Sequence, residues 1–301
     1  MPIKLCETFR AVFYTPFYLP FALGFYAAEG LDVELATSPN YDKLADQLRD
    51  GLADVYWGGP MRIMRMRDRQ EAPELWGFCE AVTRDPFFVL GREPRPDFKV
   101  EDLATMTLNT VSEVPTPWLC LQDDLRRVGV DPDALDRITD RTMAENAAAL
   151  RAGAAVVVQL FQPFVEELLA DGAGHIWYAA ASRGPCSYTT LYASSEMIAS
   201  RPNELLRMTR AMYRAQQWLH ANTPDEIATA VADFLPDVDH GIRAGAARRY
   251  LDLGVCGKNP ILPRDGFERL REALYSSGFI ASEPEFDDCV DNRFAEAVIA
   301  E

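Results

Sequence analysis

The sequence predicts an α/β protein of two lobes, and three observations carry that expectation. Strand-like segments alternate with helical ones from residue 3 onward, glycines mark several of the short connections, and the alternation resumes after a proline-rich break near residue 95. The length of 301 residues agrees, since a domain commonly takes roughly 100–200 residues.

The elements follow in order. Residues 3–9 read as a strand, 17–29 as a helix closed by Gly30, and 31–35 (LDVEL) as a second strand. Leu44, Ala45 and Leu48 recur at helical spacing across 41–50, and Gly51 then leads into a short strand at 54–57. This βαβαβ order implies mainly parallel sheets flanked by helices, with ligands bound beyond the carboxyl ends of the strands. A helix follows from Pro60, then strands at 75–82 and 87–91. The stretch 83–96, which ends in GREPRP, reads as the crossing into a second lobe. That lobe should hold strands at 107–111, 137–139 and 154–160 with helices at 118–128 and 143–151. After a helix at 164–170 and a strand at 175–179, the loop 181–187 (ASRGPCS) and the strand 188–194 form the return crossing. From Pro202 the chain reads as helical, with further helices at 224–234 and 266–276. The expected division is therefore 1–84 with 187–301 as the first lobe plus C-terminal helices, and 85–186 as the second, with a ligand cleft between them.

Composition excludes several functions. Thirty Lys and Arg stand against 46 Asp and Glu, a formal charge of −16, which disfavours nucleic acid and anionic membrane surfaces as partners. The only lysines are Lys4, Lys43, Lys99 and Lys258, so Schiff-base chemistry is scarce, whereas the 26 arginines suit planar recognition of anions. The cysteines Cys6, Cys79, Cys120, Cys186, Cys256 and Cys289 form no Cys-x-x-Cys pair and read as free thiols of a reducing compartment. MPIKLCETFR carries no export signal, so a cytoplasmic location is expected of the sequence as it stands, and a periplasmic one if a leader was trimmed. No apolar run approaches the ~20 residues of a membrane span.

Familiar catalytic motifs are lacking. His175, His220 and His240 have no metal-ligand spacing, and neither Gly-x-Ser-x-Gly nor a phosphate-binding glycine loop occurs. No cofactor and no metal are expected. The arginines of 61–69 (MRIMRMRDR) read as a solvated helix face, and the acidic stretch 283–291 as a solvated edge. Aromatic residues are more informative: Phe9, Phe13, Tyr14, Phe17 and Tyr18 surround the end of the first strand, and Tyr56-Trp57-Gly58-Gly59-Pro60 ends the third. In a parallel arrangement both loops emerge on one edge, where rings can wall a flat ligand and glycines admit close backbone approach.

These residues also carry a family resemblance. Thr15-Pro16-Phe17-Tyr18, Ala22-Leu23-Gly24-Phe25-Tyr26, Glu29-Gly30-Leu31-Asp32-Val33-Glu34-Leu35 and Gly51-Leu52-Ala53-Asp54-Val55 resemble the opening of ABC-transporter substrate-binding proteins of the alkanesulfonate, nitrate and thiamin-pyrimidine type. Residues 150–163 resemble the group less closely, and the last hundred match it only in helical character. The resemblance implies a type II periplasmic-binding-protein fold, a small-molecule ligand between the lobes and an ABC permease as partner. By position Phe9, Phe13, Tyr14, Phe17, Tyr56, Trp57 and Gly58 would line the first lobe, and Thr116, Gln159 and Phe161 the second. Arg84 and Arg183 would sit by the crossings, placed to clamp an anion. Pro115-Thr116-Pro117-Trp118 opens a helix where the family usually has a Gly/Ser-rich turn. Prolines remove N–H donors, so a neutral or weakly acidic planar aromatic is expected rather than a sulfonate.

The group includes an enzyme, the thiamin-pyrimidine synthase, and the sequence departs from it. That enzyme's lysine aligns with Gly58 and its histidine with Arg62, and its cysteine-rich stretch is reduced to Cys186 ahead of Thr189-Thr190-Leu191-Tyr192. The expected function is therefore binding without catalysis. The alternative is a cytoplasmic enzyme or ligand sensor on the same scaffold, with Cys186, Glu113 and Arg183 as its candidate groups.

Overall fold

The computed structural model describes residues 2–38, 47 and 50–301. Two five-stranded sheets, each flanked by helices, organise these residues. The first contains β1 (Ile3–Glu7), β2 (Val33–Thr37), β3 (Val55–Gly58), β4 (Leu75–Val82) and β10 (Thr189–Ser194), in the order β2-β1-β3-β10-β4. The second contains β5 (Phe88–Gly91), β6 (Leu108–Asn109), β7 (Arg137–Ile138), β8 (Val157–Leu160) and β9 (His175–Ala179), in the order β7-β6-β8-β5-β9. The chain leaves the first sheet through residues 83–87 and returns through 180–188.

The sheets are mixed rather than mainly parallel. β1 pairs in parallel with β2 and β3, and β6 with β7 and β8, as helical crossovers require. The strands entered from a crossing run the other way: β10 is antiparallel to β3 and β4, and β5 to β8 and β9. A chain that leaves one sheet and returns to it without a crossover helix comes back with its direction reversed.

The predicted helix over 17–29 is two helices, Thr15–Ala22 and Phe25–Ala28, because Gly24 adopts a left-handed φ of 68° between them. Ser195–Ser200 escapes the sequence reading, and within the stretch read as helical from Pro202 the helices His240–Asp252 and Arg293–Ala300 are not placed individually by it. The His240–Asp252 helix (HGIRAGAARRYLD) carries two glycines and little apolar periodicity, and Asp239 starts it by accepting from the N–H groups of Gly241 and Ile242. The helix expected across 41–50 lies outside the described residues, apart from Gln47 and Asp50.

Three apolar clusters form the core. One runs through both sheets and includes Phe13, Trp57, Phe87, Phe161 and Tyr188. A second fills the other face of the first sheet beneath the Met61–Asp68 and Arg264–Ser276 helices. The third lies between the second sheet and the Thr116–Arg127 helix. No helix among the described residues is long and apolar enough to cross a membrane.

Candidate functional site

The carboxyl end of β1 releases the chain into residues 8–14, whose rings meet residues from the second sheet. Phe13 packs edge to face on Phe161, just past β8, with centroids 5.3 Å apart, and Phe9 stacks on the same ring at 6.4 Å. Phe13 also contacts Tyr14 at 4.3 Å and Tyr188 at 6.1 Å, while Phe87 meets Phe161 at 5.0 Å. Tyr14 continues the cluster to Phe17 and Trp57, and Phe17 stacks on Trp57 at 4.9 Å. Apart from half-buried Phe9, all these rings are buried. Six of the predicted residues, Phe9, Phe13, Tyr14, Phe17, Trp57 and Phe161, thus share one aromatic cluster that joins the two sheets.

Several polar atoms in and around this cluster are buried without a hydrogen-bond partner among the described residues: Thr8 Oγ1, Trp57 Nε1, Gln159 Oε1, Tyr188 Oη and Ser187 Oγ. A buried polar atom left unpaired costs about 1–3 kcal/mol, so such groups in a native protein call for an explanation. The loop between Phe9 and Phe13 also lines a pocket of about 390 Å³, with Arg10, Ala11 and Val12 facing Pro163 and residues 233–238.

On the second sheet, Gln159 of β8 donates its amide N–H to Pro117 O at 2.9 Å, at the start of the Thr116–Arg127 helix. Thr116 sits beside Met61, the first residue of the Met61–Asp68 helix, its hydroxyl 2.7 Å from the sulfur. The N–H groups of Trp118 and Leu119 both donate to Pro115 O, at 3.1 Å each, while Pro115 and Pro117 have no N–H. Of the opening residues 115–119, only Thr116 therefore retains an N–H for a ligand. A helix start so depleted of donors is a weak anion site.

Two predicted residues on β3 do not join the cluster. Strand alternation sends Tyr56 to the face opposite Trp57, where it stacks on Tyr192 at 5.9 Å and its hydroxyl meets Gln47. Gly58 lies in the close-packed corner beside Tyr192 and Arg62, where an added Cβ would come 3.1 Å from Tyr192 Oη.

The two predicted arginines are engaged by protein groups. Arg84 donates to the carbonyls of Leu253 at 3.2 Å and Ala181 at 3.5 Å. Arg183, on the return crossing, binds Asp85 of the outgoing crossing at 2.6 Å and Asp124 of the Thr116–Arg127 helix through both Nε and a terminal nitrogen. Tyr178 donates to the same Asp124 at 2.9 Å. Burial pulls the guanidinium pKa down, but the two carboxylates outweigh that and hold it well above the usual arginine value. Burial raises the Asp85 carboxyl, with Arg183 opposing. All three nitrogens of this guanidinium are committed to carboxylates, so it fixes the crossings rather than standing free to clamp an anion.

The candidate catalytic groups are similarly placed. Glu113 accepts from the Met143 N–H at 2.9 Å, at the start of the Met143–Ala152 helix. Cys186 is buried, and its backbone N–H donates to Thr83 O at 3.0 Å. No group of three or more His, Cys, Asp or Glu residues fit to hold a metal occurs among the described residues.

Four residues near the site escaped the sequence reading. Tyr188 and Phe87 lie in the aromatic cluster at the ends of the two crossings, and their aromatic character beside predicted crossings is the signal that could have found them. Glu7, at the end of β1, is a buried carboxylate bound by Arg10 at 2.6 Å, Thr37 at 3.1 Å and Tyr18 at 3.2 Å. Burial raises its pKa, with Arg10 opposing. Glu80 on β4 is buried, and desolvation pushes its pKa up to about 8 despite the nearby Ser187 and Thr83 hydroxyls. Its Oε1 and Ser187 Oγ nonetheless lack a partner in strict hydrogen-bond geometry among the described residues.

Comparison with known proteins finds this fold both in binding proteins and in an enzyme. Residues 95–235 match the NMT1-like family. The Bacillus subtilis (strain 168) protein YtlA, named as a candidate binding protein, is 25% identical over 301 residues, covering 99% of this chain and 90% of its own. The periplasmic aliphatic sulphonate binding protein SsuA of Escherichia coli superposes with a TM-score of 0.76 at 13% identity, covering 97% of this chain and 92% of that one. The desulfurization enzyme DSZB superposes at 0.72 with 15% identity over 99% of both chains. The chain has the two-sheet fold of periplasmic binding proteins and resembles the substrate-binding proteins of ABC importers, the sulfonate-binding ones among them.

Proposed function

We propose that the protein binds a small planar aromatic or heteroaromatic solute, neutral or weakly acidic, between its two sheets, as the substrate-binding component of an ABC importer. The observation that carries this reading is the aromatic cluster joining Phe9, Phe13 and Tyr14 to Phe161 across the sheets. Rings at such a junction offer flat faces and edges to a flat ligand inserted between them. The unpaired Trp57 Nε1, Gln159 Oε1 and Tyr188 Oη favour a ligand with both donors and acceptors, hence a heteroaromatic over a hydrocarbon. A strong anion is disfavoured by the proline-depleted helix start and by the commitment of Arg183 to two aspartates. Residues 1–84 with 187–301, and 85–186, would close as two lobes about the crossings, and Thr116 with Gln159 would form the second lobe's polar wall.

Binding without turnover fits this set. Among the candidate groups Glu113 serves a helix start, Arg183 is committed to carboxylates and Cys186 is fully buried. The neighbourhood of Gly58 supplies no lysine or histidine at positions 56–62. Calorimetric titration of a panel of planar heteroaromatics beside short alkanesulfonates tests the reading: saturable heat is expected from the first class and none from the second.

A further inference from the structure

The pocket of about 390 Å³ beside the loop after β1 takes none of its lining from the rings of the aromatic cluster. One wall is Arg10 to Val12, the segment between Phe9 and Phe13. Facing it are Pro163, two residues past Phe161, and residues 233–238, which join the Pro224–Ala230 and His240–Asp252 helices. Both walls are fixed by hydrogen bonds. The Ala11 N–H donates to Tyr18 Oη at 3.3 Å, and Tyr18 Oη donates to Glu7 at 3.2 Å. The buried Arg243 guanidinium donates to the carbonyls of Ala228 at 3.1 Å, Leu235 at 3.1 Å and Val238, which holds the 233–238 connection in shape. Walls ordered in advance spare a ligand the cost of ordering them.

The lining combines both signs of charge with apolar surface. Arg10 pairs with Glu7 through Nε at 2.6 Å, and its side chain, 43% exposed, keeps two terminal nitrogens for another acceptor. Its guanidinium carbon lies 5.5 Å from the rings of both Tyr18 and Phe234, which stack on each other at 4.9 Å, so the cation is positioned by two rings. Asp233 and Asp237 are exposed, and no ion pair engages either among the described residues. Most of the remaining lining is apolar, with Val12, Pro163, Leu235 and Val238.

We propose that this pocket is a second binding site, for an aliphatic amino acid, with the ligand's carboxylate on the Arg10 terminal nitrogens and its ammonium on Asp233 and Asp237. A guanidinium presents parallel N–H donors that match the two oxygens of a carboxylate. A ligand with a carboxylate alone meets two repelling aspartates, and one with an ammonium alone meets Arg10, so the lining discriminates against both. The ligand's hydrocarbon part covers the apolar lining. The volume lies at the lower end of the roughly 300–1,000 Å³ usual for ligand pockets, which suits a ligand of this size. Because Arg10 to Val12 connects Phe9 to Phe13, an occupant also holds the segment that carries both rings.

Calorimetric titration of the full-length protein with L-leucine and with ε-aminocaproate, each beside the carboxylic acid and the amine that lack one of its charges, tests this. The expected result is saturable binding of at least one of the two amino acids, about tenfold or more tighter than its acid or its amine. The double substitution Asp233→Asn, Asp237→Asn changes two exposed side chains, so it should preserve the fold, weaken that amino acid about tenfold and leave the acid analogue unweakened. Arg10→Gln should weaken the amino acid similarly and leave the amine analogue unweakened. Binding of neither amino acid, an acid or amine as tight as its parent, or wild-type affinity in the aspartate variant would each overturn the proposal. The aspartate variant decides the matter even if Arg10→Gln, which also breaks the pair with Glu7, fails to fold. No probe here is aromatic and no altered residue contributes a ring to the aromatic cluster, so failure of this proposal would leave the proposed binding of a planar heteroaromatic untouched.

Discussion

Phe13 and Phe161 meet edge to face at an interplanar angle of 86°, joining the loop after β1 to the segment after β8. An edge-to-face pair contributes about 0.5–1.5 kcal/mol beyond the area it buries. Phe13→Leu and Phe161→Leu keep most of the apolar volume and remove that geometry. In a double-mutant cycle read by urea denaturation, the two substitutions should therefore couple by about that amount. Strict additivity would show that the two sheets do not communicate through these rings.

Trp57 is fully buried and stacked on Phe17, so Trp57→Ala should destabilise the fold by about 3–5 kcal/mol and confound any binding measurement. Trp57→Phe retains packing and deletes the unpaired N–H. Against a ligand identified by calorimetry, that variant should lose about 1–2 kcal/mol of affinity with a stability change of at most similar size. Unchanged affinity would remove the indole N–H from the site.

Arg183 is 5% exposed, and its partners Asp85 and Asp124 are 1% and 10% exposed. Removing the cation from such a group leaves buried charge uncompensated, which typically costs about 3–5 kcal/mol. Arg183→Met should show a loss of that order in chemical denaturation, and adding Asp85→Asn should recover part of it. A loss below about 1 kcal/mol would mean that the cluster behaves like an exposed ion pair.

Glu80 gives a pH signature of opposite sense to an ordinary salt-bridged carboxylate. Its folded pKa is raised to about 8 from the usual 4.5, so the folded state holds a proton that the unfolded chain releases. The contribution to stability is fully present below about pH 4.5 and is lost as pH rises from 4.5 towards 8. Glu80→Gln should remove this loss, gaining roughly 1–3 kcal/mol relative to wild type at pH 8 compared with pH 5. Thermal melts of both proteins across that range provide the check, and parallel pH profiles would contradict it.

Much of the fold was legible because the sequence repeats simple physical patterns. Leu75–Val82, Phe164–Ala170, His175–Ala179 and Pro202–Ala221 are bounded by residues that stop or start elements, and they fall where apolar spacing places them. The reversed entry of β5 and β10 was not legible, since strand polarity depends on which neighbour a strand finds rather than on its own composition. The Gly24 break was misjudged because the apolar stripe continues across it. Within the site, clustering of rings at strand ends identified Phe9, Phe13, Tyr14, Phe17 and Trp57, but period-2 alternation within β3 sends Tyr56 to the other face. The commitment of Arg183 is not legible in the sequence, because its partners, Asp85 and Asp124, lie 98 and 59 residues away.

The most direct test of the binding account is mass spectrometry of small molecules released by denaturing purified wild-type protein after exposure to a cell extract, beside the doubly substituted Phe13→Leu, Phe161→Leu protein. The account predicts one enriched planar heteroaromatic compound from wild type and its loss or strong depletion from the variant. Enrichment of an aliphatic sulfonate, or of the same compound equally from both proteins, would contradict it.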